Sequence, residues 1–83
     1  MIKLSERSLA VLIHCLKEHN PSSISTVEDP DVTMYTPEFY NHLRQIVGDE
    51  LVAKGFDENY EPNDYGADLE HLIDEIGRLF MYK

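Results

Sequence analysis

Residues 63–82 read NDYGADLEHLIDEIGRLFMY, and this stretch decides the fold class. Tyr65, Leu69, Leu72, Ile73, Ile76, Leu79 and Phe80 recur at the spacing of one helix face. Asp64, Asp68, His71, Glu75 and Arg78 fall on the other side at the same period, flanked by Glu70 and Asp74. An apolar stripe of this kind must be buried against other elements, so the rest of the chain has to supply them. Asn63, following Pro62, is placed to cap the first turn, and Asp64 suits the positive end of the helix dipole. The predicted helix covers about 64–81.

Two further helices are legible upstream. Thr36-Pro37-Glu38 is a strong start signal: a hydroxyl at the N-cap, a proline where the missing N–H is no loss, and an acid in the first turn. Tyr40, Leu43, Val47 and Leu51 then form a stripe, with Phe39 and Ile46 beside it, which predicts a helix over 37–54 running through Gly48. Tyr35 and Tyr40 have the spacing of a hydrophobic staple. Gly55 reads as a left-handed C′ residue, with Phe56 packing back on Leu51 in a Schellman ending. Nearer the start, Ser5 caps a run in which Leu9, Leu12, Ile13 and Leu16 share a face, and Pro21 closes it, giving a helix over 5–19.

Residues 22–36 are the ambiguous part. Ser23–Val27 and Val32–Thr36 are rich in β-branched residues, and Pro30 between them suits a type I turn. A short β-hairpin and an irregular loop both stay open. The expected architecture is a single mainly α domain over 1–83: a small three-helix bundle, with a short β-hairpin or irregular loop at 22–36.

The charge is distributed unevenly. Between Asp49 and Glu75 there are ten acids and one base, Lys54, whereas acids and bases balance over the rest of the chain, so the formal net charge of −9 lies in one third of it. Hydrophobic residues make up 42% of the sequence, which supports a core and argues against a disordered acidic tail. The negative balance disfavours direct binding to nucleic acid or to an anionic membrane surface. The single cysteine, Cys15, cannot form an internal disulfide and falls in an apolar run, so it reads as a buried thiol in a reducing compartment. With no signal peptide and no apolar run long enough to span a bilayer, cytoplasmic residence is expected.

No phosphate-binding loop, nucleophile elbow or paired metal-ligating histidines can be found, so no catalytic residue, cofactor or metal is assigned and an enzyme is not expected. A calcium loop starting at Asp57 fails at two geometric positions: Pro62 stands where the turn needs glycine, and Asp68 where a bidentate glutamate belongs. His71, between Asp68 and Glu75, reads as an exposed histidine in a negative row.

The acidic stretch itself is the candidate surface. Asp57, Glu58, Glu61, Asp64, Asp68, Asp74 and Glu75 would pair with Lys or Arg on a partner, and Tyr60 and Tyr65 would supply apolar anchors. The first expectation is therefore a small protein-binding, neutralising protein that masks a basic surface, such as that of a nuclease or another nucleic-acid-binding protein. In size and charge the chain resembles, in kind only, immunity proteins, antitoxins and anti-defence inhibitors; no motif is matched residue by residue. Two alternatives stand beside it. One is a helical homodimerisation module using Leu79, Phe80 and Tyr82, its acids serving only solubility. The other is a regulatory protein with a degenerate metal loop at 57–68.

Overall fold

The computed structural model describes residues 1–81, with side chains as far as Leu79. Its elements are α1 (Glu6–His19), α2 (Ser22–Glu28), α3 (Pro37–Lys54) and α4 (Asp64–Met81). Three of these helices lie where the periodicity puts them, and their caps show why. The Ser5 hydroxyl accepts from the Ser8 N–H at 3.3 Å, the Thr36 hydroxyl from the Phe39 N–H at 3.1 Å, and the Asn63 side-chain carbonyl from the Gly66 N–H at 2.7 Å. Each bond satisfies a first-turn amide that the helix cannot. Asn20 leaves the helical region at φ −157°, as a residue before proline is pressed to do.

α3 and α4 form the main helix pair, and α1 packs against both. The pair is antiparallel. Gly55 meets Gly66 at one end, while Pro37, Tyr40 and Leu79 line a common cavity at the other. The core consists of Leu12, Cys15 and Leu16 from α1, Tyr40, Leu43, Ile46 and Val47 from α3, and Leu69, Leu72 and Ile76 from α4, together with Val27 and Ile2.

Residues 22–36 contain no hairpin. Their first half is α2, a helix of seven residues, and the second half is irregular. Weak β-branched alternation suggested a strand, but Ser23 and Val27 are one helical turn apart and both are buried, with Ile24 partly buried beside them. A helix this short is not stable by its own propensity, so tertiary burial outweighs the local preference. The Tyr35 phenol lies 2.9 Å from the Thr26 carbonyl and 3.2 Å from that of Val32, fixing the irregular half to the end of α2. Its ring stands edge-on to Tyr40 with centroids 5.8 Å apart, the contact the staple spacing predicts.

The Schellman ending is also corrected. Gly55 has φ −89°, on the ordinary right-handed side. Glycine is required there by contact: a Cβ would fall 2.5 Å from Leu51 Cδ1 and 2.7 Å from the Leu51 carbonyl oxygen, with Gly66 next to it. A Cβ on Gly66 would stand 2.0 Å from the Gly55 carbonyl oxygen, and one on Gly55 would fall 3.2 Å from the Gly66 Cα. The two backbones touch, and Asn63 secures the junction by donating from its backbone to the Gly55 carbonyl at 2.9 Å and from its side chain to the Lys54 carbonyl at 3.0 Å. By contrast, nothing approaches Gly48, and α3 runs through it.

Candidate functional site

The helix pairing divides the acidic stretch into carboxylates used inside the fold and carboxylates left in water. Glu50 is the most deeply placed of the first group, with only 1% of its surface exposed. It lies three residues after Val47 and seven after Leu43, on the buried stripe of α3. Burial there is tolerable because both oxygens have partners: His19 Nε2 of α1 lies 3.0 Å from Oε1, and the Tyr65 hydroxyl of α4 donates to Oε2 at 2.7 Å. The Lys54 ammonium is 3.9 Å from Oε2 and bonds Glu18 at 2.6 Å.

The electrostatics follow from this arrangement. Burial pushes the Glu50 carboxyl upward, but the His19 and Tyr65 contacts and the Lys54 charge outweigh it, and the group is held below its ordinary value. Burial first, and then the bond to Glu50, push the Tyr65 phenol far above its usual range, so it remains a donor. Burial raises the Cys15 thiol, whose sulfur is 3.6 Å from the Tyr65 oxygen. Cys15 is the fully buried thiol that its apolar run implies.

Two acids expected on the outer row of α4 also turn inward, toward the start of α1. Asp68 receives a two-pronged contact from Arg7, with Nε and Nη2 each 2.9 Å from a carboxylate oxygen. That bond is the main reason the Asp68 carboxyl lies below its ordinary value. Glu75 accepts from the Ser5 N–H at 3.2 Å, from the Ser5 hydroxyl at 3.1 Å and from the Ser8 hydroxyl. His71 lies 3.6 Å from Glu75 on the same helix. Of the residues proposed to meet a partner, Tyr65, Asp68 and Glu75 thus have polar atoms engaged within the chain.

The remaining ones are exposed. Asp57, Glu58, Tyr60, Glu61 and Asp64 occupy the connection between α3 and α4 and the first turn of α4, and Asp74 lies further along that helix. This connection is a built loop. The Asp57 carboxylate accepts from the amides of Asn59 at 2.8 Å and Glu61 at 3.1 Å, and the Asp57 N–H donates to the Glu61 carbonyl at 2.8 Å. Phe56 and Pro62 form an isolated antiparallel bridge across its base. At its tip Tyr60 adopts φ 62°, a left-handed conformation that costs a non-glycine residue energy, with 87% of its surface in water. Asp57 and Asp68, the ends of the degenerate metal loop, are occupied by this turn and by Arg7 respectively. Of the apolar turn, Leu79 is half-buried; the Phe80 side chain and Tyr82 lie outside the described residues.

Sequence reasoning gave Glu50, Glu18 and Lys54 no site role, and set His14 and His19 aside as metal ligands because no two histidines stand at i, i+4. Glu50's position on an apolar stripe and the i, i+4 spacing of His14 and Glu18 were the available signals. No protein-family model, curated protein or solved structure matches this chain.

Proposed function

We propose that this chain is a small acidic binding protein, acting in the cytoplasm, whose loop 57–64 covers a basic surface on a protein partner. The observation that carries this reading is Tyr60: an aromatic side chain held almost wholly in water, on a left-handed residue, within a loop ordered by its own hydrogen bonds. A soluble loop does not need a tyrosine there. A binding loop does, because a rigid aromatic with few rotamers loses little entropy when it is buried in a partner. Glu58, Glu61 and Asp64 are exposed around it and would meet Lys or Arg, giving fast, salt-sensitive association. In this reading Asp74 contributes at the margin. Tyr65, Asp68 and Glu75 act as supports that set the loop and α4 in place. A nuclease or another nucleic-acid-binding protein is a natural class of target, since its phosphate-binding surface is basic. The role is binding rather than catalysis.

Capture of partners at low salt tests the reading, with wild type, Tyr60→Ala and Glu58→Lys/Glu61→Lys run side by side. A basic protein should be retained by wild type and lost by both variants, and its association rate with purified wild type should fall as salt rises. Retention of the same partner by both variants would contradict the proposal.

A further inference from the structure

The cluster between α1 and α3 suggests a ligand of a different kind. His14 and Glu18 stand one turn apart on α1, and Glu50 faces them from α3. One donor atom from each lies within 4.8 Å of the other two. The geometry points to a divalent transition-metal site of the zinc type, made by His14, Glu18 and Glu50, with the Lys54 ammonium as the competing cation.

Four observations support it. First, the donors come from two helices fixed by the core, and Glu50 is itself fully buried, so one ligand is positioned before any ion arrives. Second, bond lengths of about 2.0–2.2 Å to zinc require each donor to move inward by less than about 1 Å. The His14 and Glu18 side chains, 57% and 38% exposed, are free to make that move. Third, the place between the two carboxylates already attracts a cation, since Lys54 Nζ lies 2.6 Å from Glu18 and 3.9 Å from Glu50. A dication offers both carboxylates twice the charge and also engages the His14 nitrogen. Lys54 is 52% exposed and can release its ammonium to water. Fourth, Glu50 is oriented by hydrogen-bonded contacts to Tyr65 and His19, as ligating carboxylates are, and the His14 ring packs edge-on to Tyr65 with centroids 5.8 Å apart. One nitrogen and two carboxylates, with positions left for water, suit zinc or a neighbouring first-row ion better than calcium, which takes an all-oxygen shell.

The site is separate from the loop proposed to bind a partner, so either assignment can fail alone. Calorimetric titration of the full chain with zinc chloride at neutral pH and low salt tests it, with circular dichroism confirming that each variant folds. The expected result is one ion per chain. Affinity should fall by about tenfold or more in His14→Ala and in Glu18→Gln. It should rise severalfold in Lys54→Met and stay the same in His71→Ala, which removes the other helical histidine–glutamate pair. No binding by wild type and Lys54→Met, binding that persists in His14→Ala, or binding lost in His71→Ala would each overturn the site. An affinity that does not rise in Lys54→Met would overturn the competition.

Discussion

Glu50 and Glu58 are eight positions apart in the same acidic stretch and occupy opposite environments. Glu50 is sealed at the junction of three helices, with His19, Tyr65 and Lys54 gathered around it. Glu58 stands in water on a loop whose hydrogen bonds are supplied by Asp57. Partners of the inward acids come largely from elsewhere in the chain, Arg7 for Asp68 and the His19 ring for Glu50, with Lys54 of the stretch itself also near Glu50. The formal charge of the stretch therefore overstates what a partner can meet. The loop acids and Asp64 stay in water, as do Asp49, Glu70 and Asp74 along the helices, while Glu50, Asp68 and Glu75 are bonded within the fold.

This contrast can be sharpened by substitution on each side of it. The largest effect is expected where the stretch passes between the helices. Gly66→Ala forces a methyl into the Gly55 backbone and should destabilise by about 3 kcal/mol, measured by urea denaturation. Tyr65→Phe leaves the Glu50 carboxylate short of a donor and should cost about 2 kcal/mol, with the ring packing retained. On the loop the sign reverses. Tyr60→Gly relieves the left-handed strain and should raise stability by up to about 1 kcal/mol while, on the proposed function, abolishing partner binding. A loss of stability in that variant would mean that Tyr60 supports the fold.

The smallest effect concerns Arg7 and Asp68, a partly solvated pair. The Arg7 guanidinium holds Asp68 below the ordinary carboxylate value when folded, so the unfolded chain takes up its proton first as the solution is acidified. The stability the pair adds is complete above about that value and is lost as pH falls through the folded one. Arg7→Ala should therefore be less stable than wild type by a small margin at neutral pH, with the gap closing in acid. A gap that persists at the lowest pH would place the contribution of Arg7 in packing.

Much of the fold could be read because its signals are local. Ser5, Thr36-Pro37 and Asn63 announce three helix starts, and the stripe of α4 carries its own period. What escaped depends on neighbours distant in sequence. Val27 is helical because α1 and Ile2 bury it, against its strand preference. Gly66 is glycine because the Gly55 backbone touches it, eleven residues away, and Gly55 is glycine because a Cβ there would strike Leu51 rather than because its own φ demands it. The candidate surface was legible in the same measure. Glu58, Tyr60 and Glu61 were selected from composition and are exposed. Tyr65, Asp68 and Glu75 looked equivalent, but their partners, Glu50, Arg7 and the Ser5–Ser8 turn, come together only on folding. Glu50 itself was hidden by an assumption that acids face water, although its position after Leu43 and Val47 placed it inside.

The most direct test of the division is a paired urea denaturation of Glu50→Gln and Glu58→Lys/Glu61→Lys, with chelator present. Both variants remove negative charge from the same stretch. Glu50→Gln should lose about 2 kcal/mol, because an amide cannot accept from both His19 and Tyr65 as a carboxylate does. The loop variant should stay within about 0.5 kcal/mol per site of wild type. Equal losses, or a larger loss in the loop variant, would contradict the division of the acidic stretch into inward supports and a free surface.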